Sequence, residues 1–574
     1  PYKEDGTPDT DIWVGIFNPI YLAEHDINAN DYTRALVNSS LEWDIIKDLK
    51  FRTFVSADYN LANYKQYQNR IHGDAAQEGG YAYASAERNF NTVFQNSLDY
   101  TLRFSDHNLS FKALIEYQKN KNHFLWGSGE NFSTDGLTNI ASAGANFDAS
   151  SSFNDWNNLS YLGMANYNYR GKYIADFTFR REGSSRFAPE NRFGNFWSAG
   201  VAWNASEESF IKNIELISNL RFRASYGLSG SAGVGLNAYQ ALLGYSADYA
   251  NMGAIYPAQY GNSSLTWEKN HTLDIGTDFG ILKDRITGSL AYFYKKTFDL
   301  LQDVPITRTS GHNIITQNIG VVENKGIEAQ LSVAIVRKTD LNWSVNANLA
   351  TVQNKVLELA KDAAGKDIEI PVYNRKTAVG QPIYAWYMRK WAGVDPANGL
   401  PKWYLNGKDG EVTNNYYDVN IKEEFQGKSA MPTYSGGFGT HVDFKGIFLD
   451  ANFFFSGGNK VFEDWSRYTH HNGIYSLLYY NGVAELMDRW QEPGDITDEP
   501  KVLYSSVANN VSRPSSRFLY DGDYIRLKDI VLGYSLPSSI ENRLKLSDIS
   551  IFARGTNLWT WVKDKGLKWD PEVR

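Results

Sequence analysis

The side chains best suited to hold a ligand lie in two long polar stretches, not in a catalytic cluster. Trp386-Tyr387, Trp391, Trp403-Tyr404 and Tyr479-Tyr480 set aromatic faces among polar neighbours. A saccharide needs that combination, with flat rings against its C–H faces and donors and acceptors for its hydroxyls. Packing among the loops is the simpler use of an aromatic ring. These seven residues are candidate substrate contacts.

Other chemistries find no support. Asp395-Pro396-Ala397-Asn398-Gly399 and Asn406-Gly407-Lys408-Asp409-Gly410 are rich in oxygen ligands, but lack the spacing and closing glutamate of an EF-hand loop, and Asn-Gly and Asp-Gly are ordinary turn formers. The adjacent His470-His471 has no His-Glu-x-x-His context that would argue for zinc, and reads as a solvated loop pair. Gly227-Leu228-Ser229-Gly230-Ser231-Ala232-Gly233-Val234-Gly235 lacks the lysine and the following helix of a phosphate-binding loop. No Gly-x-Ser-x-Gly nucleophile elbow occurs. The expectation is no metal, no cofactor and no enzymatic activity.

The elements carrying these loops announce themselves by period. In Leu341-Asn342-Trp343-Ser344-Val345-Asn346-Ala347-Asn348-Leu349 every odd residue tolerates hydrocarbon while every even one needs water or a partner. Aromatic residues make up 15% of the 574 and cysteine is absent, which removes disulfides and thiolate metal sites. No stretch nears the roughly 18 continuous apolar residues of a spanning helix. Mean hydropathy of −0.45 is no objection to a membrane protein, because a barrel shows only alternate residues to lipid. Net charge is −8 with Lys and Arg scattered, so nucleic acid is not expected as a partner.

Period-two segments number about 16, of roughly 9 to 15 residues each, enough to cross a bilayer at a steep tilt. Short joints such as Arg170-Gly171-Lys172 and Lys283-Asp284-Arg285 alternate with long polar stretches over about residues 122–157, 229–266, 358–430 and 458–517. That asymmetry predicts periplasmic turns and long extracellular loops on an all-β transmembrane antiparallel barrel. On this reading Arg221, Arg223, Asp274, Asp278, Asn342, Asn346 and Asn348 face the lumen, because charge and amide groups are costly against lipid. Tyr292-Phe293-Tyr294 and Trp559-Thr560-Trp561, near strand ends, read as interface anchors. Pro1-Tyr2-Lys3-Glu4-Asp5 has no start methionine or leader pattern, so a mature, processed or partial chain is expected, and Lys568 to Arg574 reads as loop.

Several strings, in order, resemble the barrel portion of the SusC/RagA family of TonB-dependent outer-membrane transporters. The strongest is Arg181-Glu182-Gly183-Ser184-Ser185-Arg186-Phe187 with Asn191-Arg192-Phe193-Gly194 and Ser198-Ala199-Gly200-Val201-Ala202-Trp203. Leu265-Thr266-Trp267-Glu268-Lys269, Asn318-Ile319-Gly320-Val321-Val322-Glu323-Asn324-Lys325-Gly326-Ile327-Glu328, Pro432-Thr433-Tyr434-Ser435-Gly436-Gly437-Phe438-Gly439 and Gly555-Thr556-Asn557-Leu558 follow. The resemblance implies a barrel of about 22 strands, of which residues 1–574 hold about 16. It also implies an N-terminal extension, a plug domain and at least one final strand outside this chain.

Function follows from the same resemblance: energised import of glycans or peptides across a bacterial outer membrane, with the TonB complex below and a SusD-like surface lipoprotein as lid. Two rivals stand beside it, a secreted β-sandwich protein that degrades or binds glycans and a passive scaffold barrel.

Overall fold

The computed structural model describes residues 2–11, 17–250, 252–407, 410–473, 481–503 and 510–572. Alternation becomes one antiparallel meander, whose staves in chain order are β1 (Ile27–Ile46), β2 (Leu49–Gln68), β3 (Tyr81–Phe104), β4 (His107–Phe132), β5 (Ala143–Tyr169), β6 (Tyr173–Ser184), β7 (Phe193–Asn204) and β8 (Ile217–Ser231). Then come β9 (Glu268–Ile281), β10 (Ile286–Phe298), β11 (Val321–Arg337), β12 (Leu341–Thr351, resuming at Gln353–Glu358), β13 (Tyr434–Phe444), β14 (Ile447–Gly457), β15 (Tyr524–Ser535) and β16 (Ser550–Val562). The sheet contains 17 hydrogen-bonded segments. Two of them form β12, since both pair with β11 on either side of Val352, which leaves one fewer stave than segments and agrees with the count from period. Every stave pairs with its neighbours in sequence. Among the described residues β1 pairs only with β2, and β16 only with β15.

One end of the sheet carries tight joints. Asp48, Ser105 and Lys445 take left-handed backbone there (φ 64, 51 and 51°), as short hairpin turns require. The other end carries residues 69–80, 133–142, 185–192, 232–267, 299–320, 359–433 and 458–523. The longest connections all leave from this end, while the opposite end carries mostly short joints apart from 205–216 and 536–549, which sets the long loops outside the cell.

The two faces separate cleanly. Leu331, Ala347, Phe438 and Phe453 stand opposite one another on β11 to β14, with the two phenyl rings stacked at 4.8 Å. One residue along, Ser332, Asn346, Gly439 and Asn452 form the matching row on the other face. Even the indole N–H on the apolar side is satisfied: Trp343 Nε1 donates to Thr440 Oγ1 at 3.0 Å, and that hydroxyl donates to the Ser344 carbonyl at 3.2 Å. In hydrocarbon an unmet donor costs several kcal/mol.

One expectation needs correction. Residues 122–157 are not a long loop, because β4 and β5 continue through them and only 133–142 lies between. Their register runs unbroken from His107↔Tyr169 to Ser128↔Asp148. Above the membrane both faces of the ladder are wet, so the apolar alternation that marks a strand vanishes while its backbone pairing persists. At 24, 26 and 27 residues, β3, β4 and β5 far exceed the roughly 9–11 needed to span a bilayer. They also rule against a β-sandwich, whose strands run to about 5–6 residues. No helix among the described residues is long and apolar enough to cross a membrane.

The opposite faces at adjacent positions give a direct test. Ala347→Arg, on the lipid face, is expected to lower stability by about 2–4 kcal/mol, and Asn346→Arg, next along the chain, by under about 1 kcal/mol. Urea unfolding of vesicle-reconstituted protein measures both, and equal losses would overturn the assignment of faces.

Candidate functional site

The inner wall is built from the polar rows. Register puts all seven residues expected to face the lumen on one and the same polar face of the sheet: Arg221 opposite Asp278, Arg223 opposite Gly276, Asp274 opposite Ser225, and Asn342, Asn346 and Asn348 opposite Asp443, Gly439 and Gly437. Arg223 bonds Asp274 through Nη1 and holds Nε 3.8 Å from Asp278. Gly276, which blurs the alternation in sequence, makes that clamp fit, since a Cβ there would lie 2.8 Å from the Arg223 guanidinium carbon. On β13 a Cβ at Gly439 would lie 2.3 Å from Asn452 Oδ1. Asn348 Oδ1, in turn, accepts the Gly437 N–H at 3.0 Å.

A second part of the wall was missed from sequence. Asn60, Asn89, Asn122 and Asn154 form one row across β2 to β5, with Asp58, Asn91, Asn120 and Trp156 beside it. Asn120 Nδ2 donates to Asn89 Oδ1 at 2.9 Å and Gln118 Nε2 to Asn91 Oδ1 at 3.0 Å. Arg34 grips Asp58 with two bonds of 2.9 and 2.8 Å. Spacing by two in Asn89-Phe90-Asn91 and Asn120-Lys121-Asn122 was the available signal, hidden where the second triplet sat inside an assumed loop edge. Amides offer donors and acceptors without net charge. No group of three metal-ligating side chains occurs among the described residues.

Above the wall, the described residues of 359–433 and 458–523 fold as one unit. Trp386, Met388 and Leu519 form one buried cluster, Trp403, Tyr416 and Ile421 another. Cross-links stitch the segments: Trp386 Nε1 donates to the Lys460 carbonyl (2.9 Å), the Trp391 N–H to Ser516 Oγ (2.9 Å) and the Tyr416 hydroxyl to the Pro514 carbonyl (2.9 Å). Five of the seven candidate aromatics sit inside this packing. Trp403 has no exposed surface and lies between Trp391 and Tyr416, so it presents no face to a ligand. Trp386 is buried under Arg375, and Tyr387 carries Lys376 Nζ 3.4 Å from its ring centre. Trp391 and Tyr404 are half-buried beneath Arg517 and Lys390. Tyr479 and Tyr480 lie outside the described residues. Ring and cation together make mortar here, which sequence spacing does not distinguish from a sugar platform.

Arg517, Glu499 and His470 form the charged heart of the unit. Arg517 Nη2 lies 2.7 Å from Glu499 Oε2 and His470 Nδ1 2.8 Å from Oε1, with all three side chains largely buried. His470 is therefore a partner inside the fold, not the solvated residue expected. Burial alone would push the Glu499 carboxyl up, but the hydrogen bond from His470 and the Arg517 charge hold it below the ordinary glutamate range. Its neighbour Glu463, buried with only the Ser466 hydroxyl and weaker partners close by, is pushed up.

A family model described as TonB dependent receptor-like, beta-barrel, matches residues 2–558. The chain belongs to this family. It is 28% identical over its whole length to TonB-dependent receptor P3 of Formosa agariphila, covering 58% of that protein, and 26% identical to TonB-dependent receptor SusC of Bacteroides thetaiotaomicron over 72% of this chain and 41% of SusC. The RagAB peptide importer in its open-open state superposes with a TM-score of 0.86 and 26% identity, over 97% of this chain and 60% of that one. The chain thus spans less than two thirds of the relatives it matches. Membership places the sheet in the bacterial outer membrane, and the likeness to SusC and RagA read from the strings above is borne out.

Those strings meet in space. Phe187 and Trp267 pack at 5.3 Å beside Phe196, Val234 and Leu265, all buried. Arg186 Nη1 reaches the Val234 carbonyl (2.8 Å), Trp267 Nε1 the Arg192 carbonyl (3.0 Å), and Asn318 bonds both the N–H and the carbonyl of Thr266. In this chain the family strings therefore fasten loop roots to the wall.

Acid should loosen the loop unit before the staves. Because the folded Glu499 ionises at lower pH than an unfolded glutamate (about 4.3), its contribution is complete above that value and is lost as pH falls through the depressed one. Glu499→Gln leaves Arg517 without its counter-charge and is expected to cost about 3 kcal/mol while removing this acid dependence. Pulse proteolysis scored at cuts within 359–433 and 458–523 across pH measures it; an unchanged acid profile in the variant would refute the assignment.

Proposed function

We propose that this chain is the larger part of the barrel of a TonB-energised, SusC-like importer of oligosaccharides or peptides, acting with a SusD-like surface lipoprotein as lid. The observation that carries the proposal is a family barrel whose inner wall is lined with neutral amides and compensated ion pairs and crowned by a folded, not slack, loop unit. Such a wall can pass a polar ligand, and such a crown offers a partner a defined surface. The half-buried Tyr387, Trp391 and Tyr404 are proposed to reach substrate only through their outer edges. Among the described residues no set favours catalysis, and the protein is proposed to be no enzyme.

Closure of the cylinder enters the same proposal. An unpaired edge cannot stand in hydrocarbon, so β1 and β16 are proposed to be completed by further strands of a longer polypeptide of about 22 staves, with an N-terminal extension and a plug.

The test is capture of the intact protein from outer membranes followed by mass spectrometry, together with uptake of the ligand found. Co-purification of a surface lipoprotein and loss of uptake in cells lacking TonB are expected. Ligand entry independent of TonB would instead mark a passive or scaffold barrel, and an intact mass near that of 574 residues would refute the longer polypeptide.

A further inference from the structure

The lipid-facing side of β3 and β4 changes character abruptly towards its extracellular end. Outward residues Phe94, Tyr117 and Leu159 stand in one cross-strand row, and nearer the periplasm Phe51, Leu98 and Ala113 form another. Directly above the first row come Lys119 opposite Thr92, Lys121 opposite Phe90 and Arg88 opposite His123, on the same outward face. Arg88, Lys121 and His123 are exposed and Lys119 is half-buried. Against them stands Asp155, opposite Lys121 and 4.0 Å from Lys119 Nζ. Neither Arg88 nor Lys121 has an ion pair among the described residues, although like charges on adjacent strands are destabilising without a counter-ion.

Height decides what meets these cations. The apolar outward run of β4 from Leu109 to Tyr117 rises roughly 20 Å at about 2.6 Å per tilted residue, close to the apolar band of about 25 Å typical of such barrels. Lys119 and Lys121 therefore begin where hydrocarbon gives way to headgroups of the outer leaflet. Farther round the sheet, at β9 to β11, outward cations are already neutralised: Lys269 by Asp299 (2.8 Å), Lys325 by Glu323 (3.1 Å), while Lys296 lies over the Phe298 ring at 4.7 Å. The patch on β3 and β4 differs in having cations to spare.

We propose that Arg88, Lys119 and Lys121 bind the phosphorylated headgroup of an outer-leaflet glycolipid, with Phe90, Phe94 and Tyr117 supporting its acyl chains. The external leaflet of an outer membrane carries phosphate-bearing glycolipid at this height, and its charge complements the surplus. A lysine at such a boundary can lay its aliphatic stem along apolar surface and hold its ammonium group at headgroup level. Surface attraction of this kind weakens with ionic strength.

The test uses the intact protein in detergent micelles doped with bis-phosphorylated lipid A or with its phosphate-free form, with retained lipid counted by native mass spectrometry. The wild type should retain the phosphorylated lipid at least tenfold better than the phosphate-free one. Arg88→Gln with Lys119→Gln and Lys121→Gln should abolish that preference, whereas Lys119→Arg with Lys121→Arg should keep it and Lys296→Gln should leave it unchanged. Heat-modifiable electrophoretic mobility reports folding, and the wild-type comparison of the two lipids stands even if the triple variant misfolds. Equal retention of both lipids by the wild type, or undiminished preference in a folded triple variant, overturns the proposal. So does competition by inorganic phosphate beyond that of chloride at equal ionic strength, which would make the patch a free-phosphate site.

Discussion

Every backbone donor and acceptor inside hydrocarbon must find its partner on a neighbouring strand, and this requirement governs all else in the molecule. It demands that every strand from β1 to β16 be paired with its neighbours, and the ladder meets it, shifting register by a residue at a few irregularities such as Asn452/Phe453 and Leu527/Asp529. Where β12 breaks its pairing, the Val352 N–H turns to the Thr433 carbonyl at 2.8 Å and stays satisfied. With the backbone so constrained, side chains are left to divide between two solvents. That division supplies both the apolar coat and the polar passage.

Because the division has period two, much of the fold is legible in the residues alone. Leu341 to Leu349 announces its faces by alternation, and Arg221 and Arg223 announce theirs by cost. The reading fails where both faces meet water, as on β4 and β5 beyond Lys119, since nothing then distinguishes alternate residues. It also falters at Gly276 and Thr277, where room for Arg223 outweighs pattern. Backbone pairing is a property of neighbours, and a single strand carries no record of it.

The loop unit was hardest to foresee. Trp386, Trp391 and Trp403 have the composition of a ligand platform, yet contacts between residues more than a hundred positions apart, such as Trp391 with Ser516, turn them inward. Arg517 and Glu499 likewise look like scattered surface charge until the two long segments close over them. By contrast the family strings, Arg186-Phe187, Leu265-Thr266-Trp267 and Asn318, were recognisable as a set. The structure supplies their reason: they hold one another.

The height of β3, β4 and β5 has a consequence for how the sheet comes apart. One continuous ladder runs through two media. Within the bilayer the loss of a rung exposes groups that nothing else can satisfy, at several kcal/mol each, whereas above it water replaces the partner and a rung is worth only about 0.5–1.5 kcal/mol. Amide protons should therefore exchange along these staves on a graded clock, fastest at the tip near residues 133–142 and slowing sharply at the headgroups. Fraying enters from outside and halts at the membrane, so thermal or mechanical damage to the tall wall can heal without the barrel ever opening.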